Sequence, residues 1–468
     1  MNNSQLKNLI MQSLEYFFQA EDLKARGFLP ASDLISDPNF AFPSYNSGST
    51  ETLVSFFDFY LKNSVNTSNK LFANQLWSKV ENESLAGEFL SLVTNTSMYT
   101  YEVAPVATIL EHKMIQHLNN LVWSKSGDGT MTSGGTASNL QALMTARHIH
   151  FPDLKTYGYG EHQPAIITSE ASHYSVKRAA NILGLGTENC FEVPTNDLGQ
   201  MTAPSVQKMI DFVKKRNKKP FCIVATAGTT VYGAFDPIKE IAEICQKENI
   251  WLHVDGAYGA NALLSQKHKM LLEGLEHADS LSWDFHKAMG LHLSCAFLLT
   301  QHKNVLNNAL KAGNDEYLFH EDQQDFSDLG QISLQCGRRV DILKLWVTWL
   351  SRGQIGMEKR VDQLFESAQH LSQLIKKLPQ LQLLVEPQST NVCFRYIGKT
   401  KPVNVRLEAE IRNLLMLKGM GYINYSCDKN GPFFRMAITR PDLTEKDLSK
   451  TLMEIIKIGD QLYAESKS

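Results

Sequence analysis

Between about residues 122 and 299, short apolar runs alternate with helical patterns, and no other feature constrains this chain as strongly. The runs lie at 165–168, 221–225, 251–254 and 295–299, and the intervening helical stretches include 205–215 and 237–247. Each run is apolar almost throughout, without polar alternation, so both of its faces are expected to be buried. Strands of that kind separated by helices form a mostly parallel sheet covered on both sides. Ligands of such sheets bind outside the carboxyl ends of the strands. The 169–173 loop, Thr226, Asp255 and Lys287 each fall at or just after such an end, which points to one shared site.

The flanking segments read differently. From 3 to 26, Leu6, Leu9, Ile10, Leu14, Phe17 and Phe18 recur at helical spacing, an amphipathic helix expected to pack on a partner or on the main body. Residues 30–50 are rich in Pro, Ser, Asn and Gly and read as an extended connection, followed by helical patterns at 51–61 and 84–92. After Gly337 come helices at 340–353 and 356–378, strands at 390–396 and 433–438, and helices at 405–418 and from Thr444. The expected organisation is α/β: a helical and extended segment over 1–65, a large domain over 66–345, and a small α+β domain over 346–468.

With 468 residues the chain can bury a large core. A net charge of -3 gives no electrostatic footprint for nucleic acid or for an anionic membrane. The polar N-terminus predicts no signal peptide, and no apolar run is long enough to span a bilayer. Seven scattered cysteines without a CxxC pair read as reduced thiols of a cytoplasmic protein, with neither a disulfide framework nor a metal site.

Five stretches carry the chemistry. The run 282–290, Ser-Trp-Asp-Phe-His-Lys-Ala-Met-Gly, presents Lys287 beside His286. Upstream, 251–259 is an apolar strand ending in Asp255 among small residues, and a buried carboxylate is expected to need a cationic partner. One ligand demands both features: pyridoxal phosphate forms a Schiff base with a lysine and needs an acid at its ring nitrogen. The 131–139 stretch sets glycines and hydroxyls at a helix start, where backbone N–H groups and the helix dipole attract an anion. An ordinary helix cap would look the same. His173, between a strand and a helix, can stack on a flat ring and carry a proton. The 224–237 stretch is a strand entering a turn rich in Gly and Thr, each an ordinary turn former.

Taken in order, Thr226–Pro237, His253-Val254-Asp255, His286-Lys287 and Gln335-Cys336-Gly337-Arg338 resemble the motifs of the group II PLP-dependent decarboxylases, closest to the glutamate and cysteine sulfinate decarboxylases. The segments 99–106, 390–394 and 433–436 match as well, so the resemblance runs from about residue 70 to the C-terminus. It implies the fold-type I, aspartate-aminotransferase-like architecture and a homodimer with active sites at the interface. It further implies decarboxylation of an amino acid to the amine and CO2. Carried over by position, Lys287 binds the cofactor covalently, Asp255 faces the pyridinium N–H, and Ala257 and His173 cover the two faces of the ring. Thr136, Ala137 and Ser138 match the phosphate turn, Thr230 and Asp236 brace the cofactor side of the pocket, and His286 precedes the lysine. Arg435 matches the arginine that grips the α-carboxylate, a role suited to a guanidinium fork. Asn74 and Gln75 match the substrate-side segment, which favours an acidic substrate: glutamate, aspartate or cysteine sulfinate ahead of 2,4-diaminobutyrate.

Two departures stand out. Asp284-Phe285 occupies the place of the family's usual Asn-Pro, where an aspartate near a phosphate is repulsive unless compensated. The loop before Gln335 lacks the tyrosine that protonates the reacting carbon in animal glutamate decarboxylases. His173 or a water is the expected substitute, with Tyr317 and His320 as other candidate donors. Slow protonation would permit oxidative deamination instead. Another PLP chemistry on the same fold, such as aminotransfer, and a homologue without turnover are the competing classes.

Overall fold

The computed structural model describes residues 2–20, 29–40, 49–125, 127–311, 313, 316–319, 328–398 and 407–465. Twelve strands are formed among them: β1 Phe72–Ala73, β2 Asp128–Thr132, β3 Pro164–Ser169, β4 Cys190–Val193, β5 Lys219–Thr226, β6 Trp251–Asp255, β7 Ser280–Asp284, β8 Ala296–Thr300, β9 Leu381–Leu383, β10 Asn391–Tyr396, β11 Tyr422–Asp428 and β12 Gly431–Ala437. They make a seven-stranded sheet in the order β2-β8-β7-β6-β5-β3-β4 and a five-stranded sheet in the order β1-β11-β12-β10-β9.

The large sheet is parallel from β7 through β6, β5 and β3 to β4, as the apolar runs predict. β8 differs: it is antiparallel to both β7 and β2. An antiparallel pair needs only a short connection, and the eleven-residue loop between Asp284 and Ala296 folds back over the carboxyl edge of the sheet. It is closed by Phe285 N donating to Cys295 O at 2.9 Å. Lys287 rides on this loop. Phe285 is buried, stacked on Trp283 at 4.9 Å between ring centroids, which anchors the loop in the core.

Helices Pro105–Trp123 and Gly135–His150 bury Leu118, Met114, Leu143 and Ala146 against the large sheet. The first of these is missing from the helices read off the sequence, although Ala107, Met114, Leu118 and Val122 recur at helical spacing along it. The helical stretch Ile342–Lys377 is broken at Gly353, whose φ of 60° suits a residue without a Cβ. Its first part packs Ile342 and Leu345 on the main core, and its second packs Leu364, Leu371 and Ile375 on the small sheet. Helices Glu408–Leu417 and Glu445–Glu465 cover the same sheet through Ile411, Leu415, Leu452 and Ile455. β1 joins this sheet from far upstream, Phe72 standing opposite Tyr422.

Buried Arg360 ties the assembly together. It donates to Ala288 O at 2.9 Å and to Thr439 O at 3.1 Å and pairs with Glu81, while Glu81 N bonds Gly290 O at 2.9 Å. The lysine loop is thereby fixed to the long helix and to the end of β12. Among the described residues, no helix is long and apolar enough to cross a membrane.

Candidate active site

A cavity of about 470 Å³ opens at the carboxyl edge of the large sheet. Thr136, Ala137, His173, Thr230, Asp255, Ala257, His286 and Lys287 line it, together with Asn139, Thr226, Tyr258 and Asp284. Residues spread over about 150 positions of sequence thus meet because β3, β5, β6 and β7 all run the same way and end together.

Asp255, at the end of β6, is held by neutral donors. Its Oδ2 accepts from Asn139 Nδ2 at 2.7 Å and its Oδ1 from Ala257 N at 3.1 Å. The expected pairing with a cationic side chain does not occur. Lys287 turns to Asp284 instead, with Nζ 3.1 Å from Oδ2. That contact also compensates the carboxylate which the sequence flagged as repulsive towards a phosphate. Asp284 Oδ2 accepts a second hydrogen bond from Gly135 N, at 3.2 Å.

Behind Asp255 runs a buried chain of hydrogen bonds. A carboxylate only accepts, so Asn139 must turn its amide nitrogen to Asp255 and its oxygen away. That oxygen accepts from Ser282 Oγ at 2.7 Å and from His253 Nε2 at 3.0 Å. His253 Nδ1 then accepts from Ser280 Oγ at 2.8 Å, and Ser280 Oγ accepts from Trp251 Nε1 at 2.9 Å. Every donor in the series points towards Asp255. Burial drives the His253 pKa down to about 4, so the ring stays neutral and the direction of the chain is fixed.

His173 lies on the loop after β3, where its Nδ1 accepts from Ser175 N at 3.2 Å. Burial lowers its pKa, opposed by the Asp255 charge and reinforced by the Lys287 ammonium. His286 is almost fully buried, accepts from Cys295 N at 3.1 Å and is likewise lowered by burial.

Ser138 and Asp236 stand outside the cavity lining. Ser138 Oγ lies beneath the turn, 2.7 Å from Thr132 Oγ1. Asp236 accepts from Thr226 N at 2.7 Å and Met201 N at 2.9 Å, stapling the turn after β5, and burial raises its pKa to about 7. Arg435 sits beside the cavity wall, donating to Thr230 O at 2.8 Å and Asn74 O at 2.5 Å, while its Nε has no partner. Asn74 Oδ1 is buried without a partner and Gln75 is exposed. Tyr317 is 82% exposed; His320 and the 323–327 loop segment lie outside the described residues.

A flat pyridine bearing an aldehyde and a phosphate asks for an amine, an acceptor for its ring N–H, two covering surfaces and backbone N–H groups for the anion. The cavity meets each demand. Lys287 supplies the amine and Asp255 the acceptor, while the Ala257 methyl and the His173 ring both face the same space. The helix start at Gly135 supplies the N–H groups, and it approaches so closely that a Cβ there would lie 2.9 Å from the Ala257 methyl and 3.0 Å from Asp284 Oδ2. Thr226 Oγ1 adds a buried hydroxyl without a partner at the cavity wall. Asn139, His253 and Ser282 were not singled out by the sequence. His253 lies within the His253-Val254-Asp255 run, but nothing in that run marked its own role.

Comparison with known proteins agrees. The model of the pyridoxal-dependent decarboxylase conserved domain matches residues 39–397. Human cysteine sulfinic acid decarboxylase is 37% identical over 416 residues, covering 86% of this chain and 84% of that one. The mouse acidic amino acid decarboxylase GADL1 is 38% identical over 414 residues, covering 85% and 74%. The crystal structure of mouse CSAD superposes with a TM-score of 0.91 at 32% identity over 98% of both chains, so the two-sheet architecture is that of fold-type I PLP enzymes. Cavity, fold and relatives converge, and the chain belongs to the pyridoxal-dependent decarboxylase family.

Proposed function

We propose that this enzyme decarboxylates an acidic L-amino acid, with Lys287 holding pyridoxal phosphate covalently and Asp255 facing its ring nitrogen. The observation that carries this reading is the convergence of the Lys287 amine and the Asp255 carboxylate on one cavity, the carboxylate being oriented by neutral donors alone. Bound there, pyridoxal phosphate supplies the electron sink for the charge left on Cα when CO2 departs. Asp255 keeps a proton at the ring nitrogen, and the chain from Trp251 to Asn139 keeps Asp255 in place. Ala257 and His173 cover the ring faces. The turn at 134–138 holds the phosphate, with Ser138 beneath it, Thr230 and Asp236 bracing the cofactor side of the pocket and His286 fixing the lysine loop.

Arg435, anchored on two backbone carbonyls with Nε to spare, takes the substrate α-carboxylate, with Asn74 and Gln75 on the substrate side. His173 returns the proton to Cα. Its lowered pKa makes it a ready donor once it is charged. The acidic class of substrate is supported by the relatives named cysteine sulfinic acid decarboxylase and acidic amino acid decarboxylase.

We place the site at the interface of a cytoplasmic homodimer. Exposed Leu350 borders a depression shared with Trp346, Trp349, Met114 and His117, a surface that a second copy would cover. Seven free cysteines suit a reducing compartment.

The test is CO2 release and amine formation from cysteine sulfinate, aspartate, glutamate and 2,4-diaminobutyrate. An acidic substrate is expected to lead the diaminobutyrate by at least about tenfold in kcat/KM, or about 1.4 kcal/mol. Preference for diaminobutyrate would overturn the substrate class, and aldehyde in place of amine would overturn simple decarboxylation.

A further inference from the structure

The loop that carries Lys287 holds a carboxylate of its own. Asp284 ends β7, its side chain 1% exposed, with Oδ2 3.1 Å from Lys287 Nζ and 3.2 Å from Gly135 N. His286 Nε2 stands 3.7 Å away. Oδ1 is buried without a hydrogen-bond partner. A carboxylate this deep is tolerable only while it is compensated. Here the compensation comes from the lysine and from the first N–H of the helix start, the same N–H groups that suit an anion.

We infer that Asp284 is a positioning residue that weakens cofactor retention by competing with the phosphate for this helix start. The inference rests on the cofactor site proposed above. A phosphate monoester carries close to two negative charges at neutral pH. Bringing it to a helix start already bonded to a buried carboxylate costs electrostatic energy that a neutral side chain would not impose. Asparagine has the same shape, keeps an acceptor oxygen for Gly135 and removes the charge. The residue that sequence comparison marked as a departure thus sets how readily the enzyme exchanges its cofactor.

The experiment titrates full-length wild type and Asp284→Asn, both stripped of cofactor, with pyridoxal phosphate and separately with pyridoxal, following tryptophan fluorescence. Asp284→Asn is expected to bind pyridoxal phosphate at least about tenfold more tightly, equivalent to about 1.4 kcal/mol, and to release it more slowly. Its affinity for pyridoxal, which has no phosphate, is expected to stay the same. Asp284→Ser, smaller and neutral, is expected to move in the same direction and covers the case in which the asparagine variant does not fold. Equal affinities for pyridoxal phosphate in wild type and variants, or an equal gain for pyridoxal, would overturn the inference. A wild type that binds no pyridoxal phosphate would overturn the cofactor site instead.

Discussion

Two buried carboxylates end adjacent strands. Asp255 on β6 accepts from Asn139 and from Ala257 N, while Asp284 on β7 pairs with Lys287 and with Gly135 N. The first is oriented by dipoles and keeps its charge available to a ligand that brings a proton on nitrogen. The second is compensated inside the chain by the Lys287 ammonium. Two carboxylates, both buried and at matching strand ends, therefore stand in different electrostatic settings. What separates them is the chemistry of the neighbouring helix start: a side-chain amide one turn into it, and a backbone N–H at its first residue.

Asp255→Asn should break the comparison most severely. It keeps the shape and removes the charge, and kcat for CO2 release at saturating cofactor should fall on the order of 10²–10³-fold, the range of a lost preorganised electrostatic contact. A near-wild-type rate would mean that Asp255 is not the ring partner. Asn139→Ala removes the amide that orients Asp255 and strands Ser282 and His253. A loss of about ten- to a hundredfold in kcat is expected, with about 1–3 kcal/mol of stability lost in denaturant titration.

The last effect concerns pH and is read in stability alone. The folded protein holds His253 neutral down to about pH 4, whereas the unfolded chain takes up a proton near pH 6.5. Its contribution is intact above about pH 6.5 and is lost as the pH falls towards 4, by about 3 kcal/mol in all. His253→Gln should flatten the stability slope across that window, read as the difference between wild type and variant in chemical denaturation. Parallel slopes would show that His253 does not carry it.

Much of this was legible in the chain. Continuous apolar runs announced the parallel core and the edge at which Asp255 and His173 emerge. The glycines and hydroxyls of 131–139 announced a helix start at the sheet edge. Other features carry no local signal. An apolar run does not encode direction, so antiparallel β8 and the loop it creates for Lys287 were not foreseen. Phe72–Ala73 is two residues long, too short for any periodicity, and its partner Tyr422 lies at the other end of the chain. Asn139 looks like any polar residue in the first turn of a helix until Asp255 is placed 2.7 Å away. The pairing of Lys287 with Asp284 depends on a turn whose shape comes from the β7–β8 reversal. Ser138 was read as part of the phosphate turn and Asp236 as a brace on the cofactor side of the pocket; the structure directs their oxygens towards Thr132 and towards the Thr226 and Met201 amides. A motif identifies which residues matter more readily than which way they face.

Borohydride reduction of the purified, cofactor-loaded enzyme, followed by peptide mapping by mass spectrometry, tests directly whether Lys287 carries the cofactor. One reduced phosphopyridoxyl group is expected, on Lys287, absent from Lys287→Ala. A label on another lysine, or no label on an enzyme that still releases CO2, would contradict it.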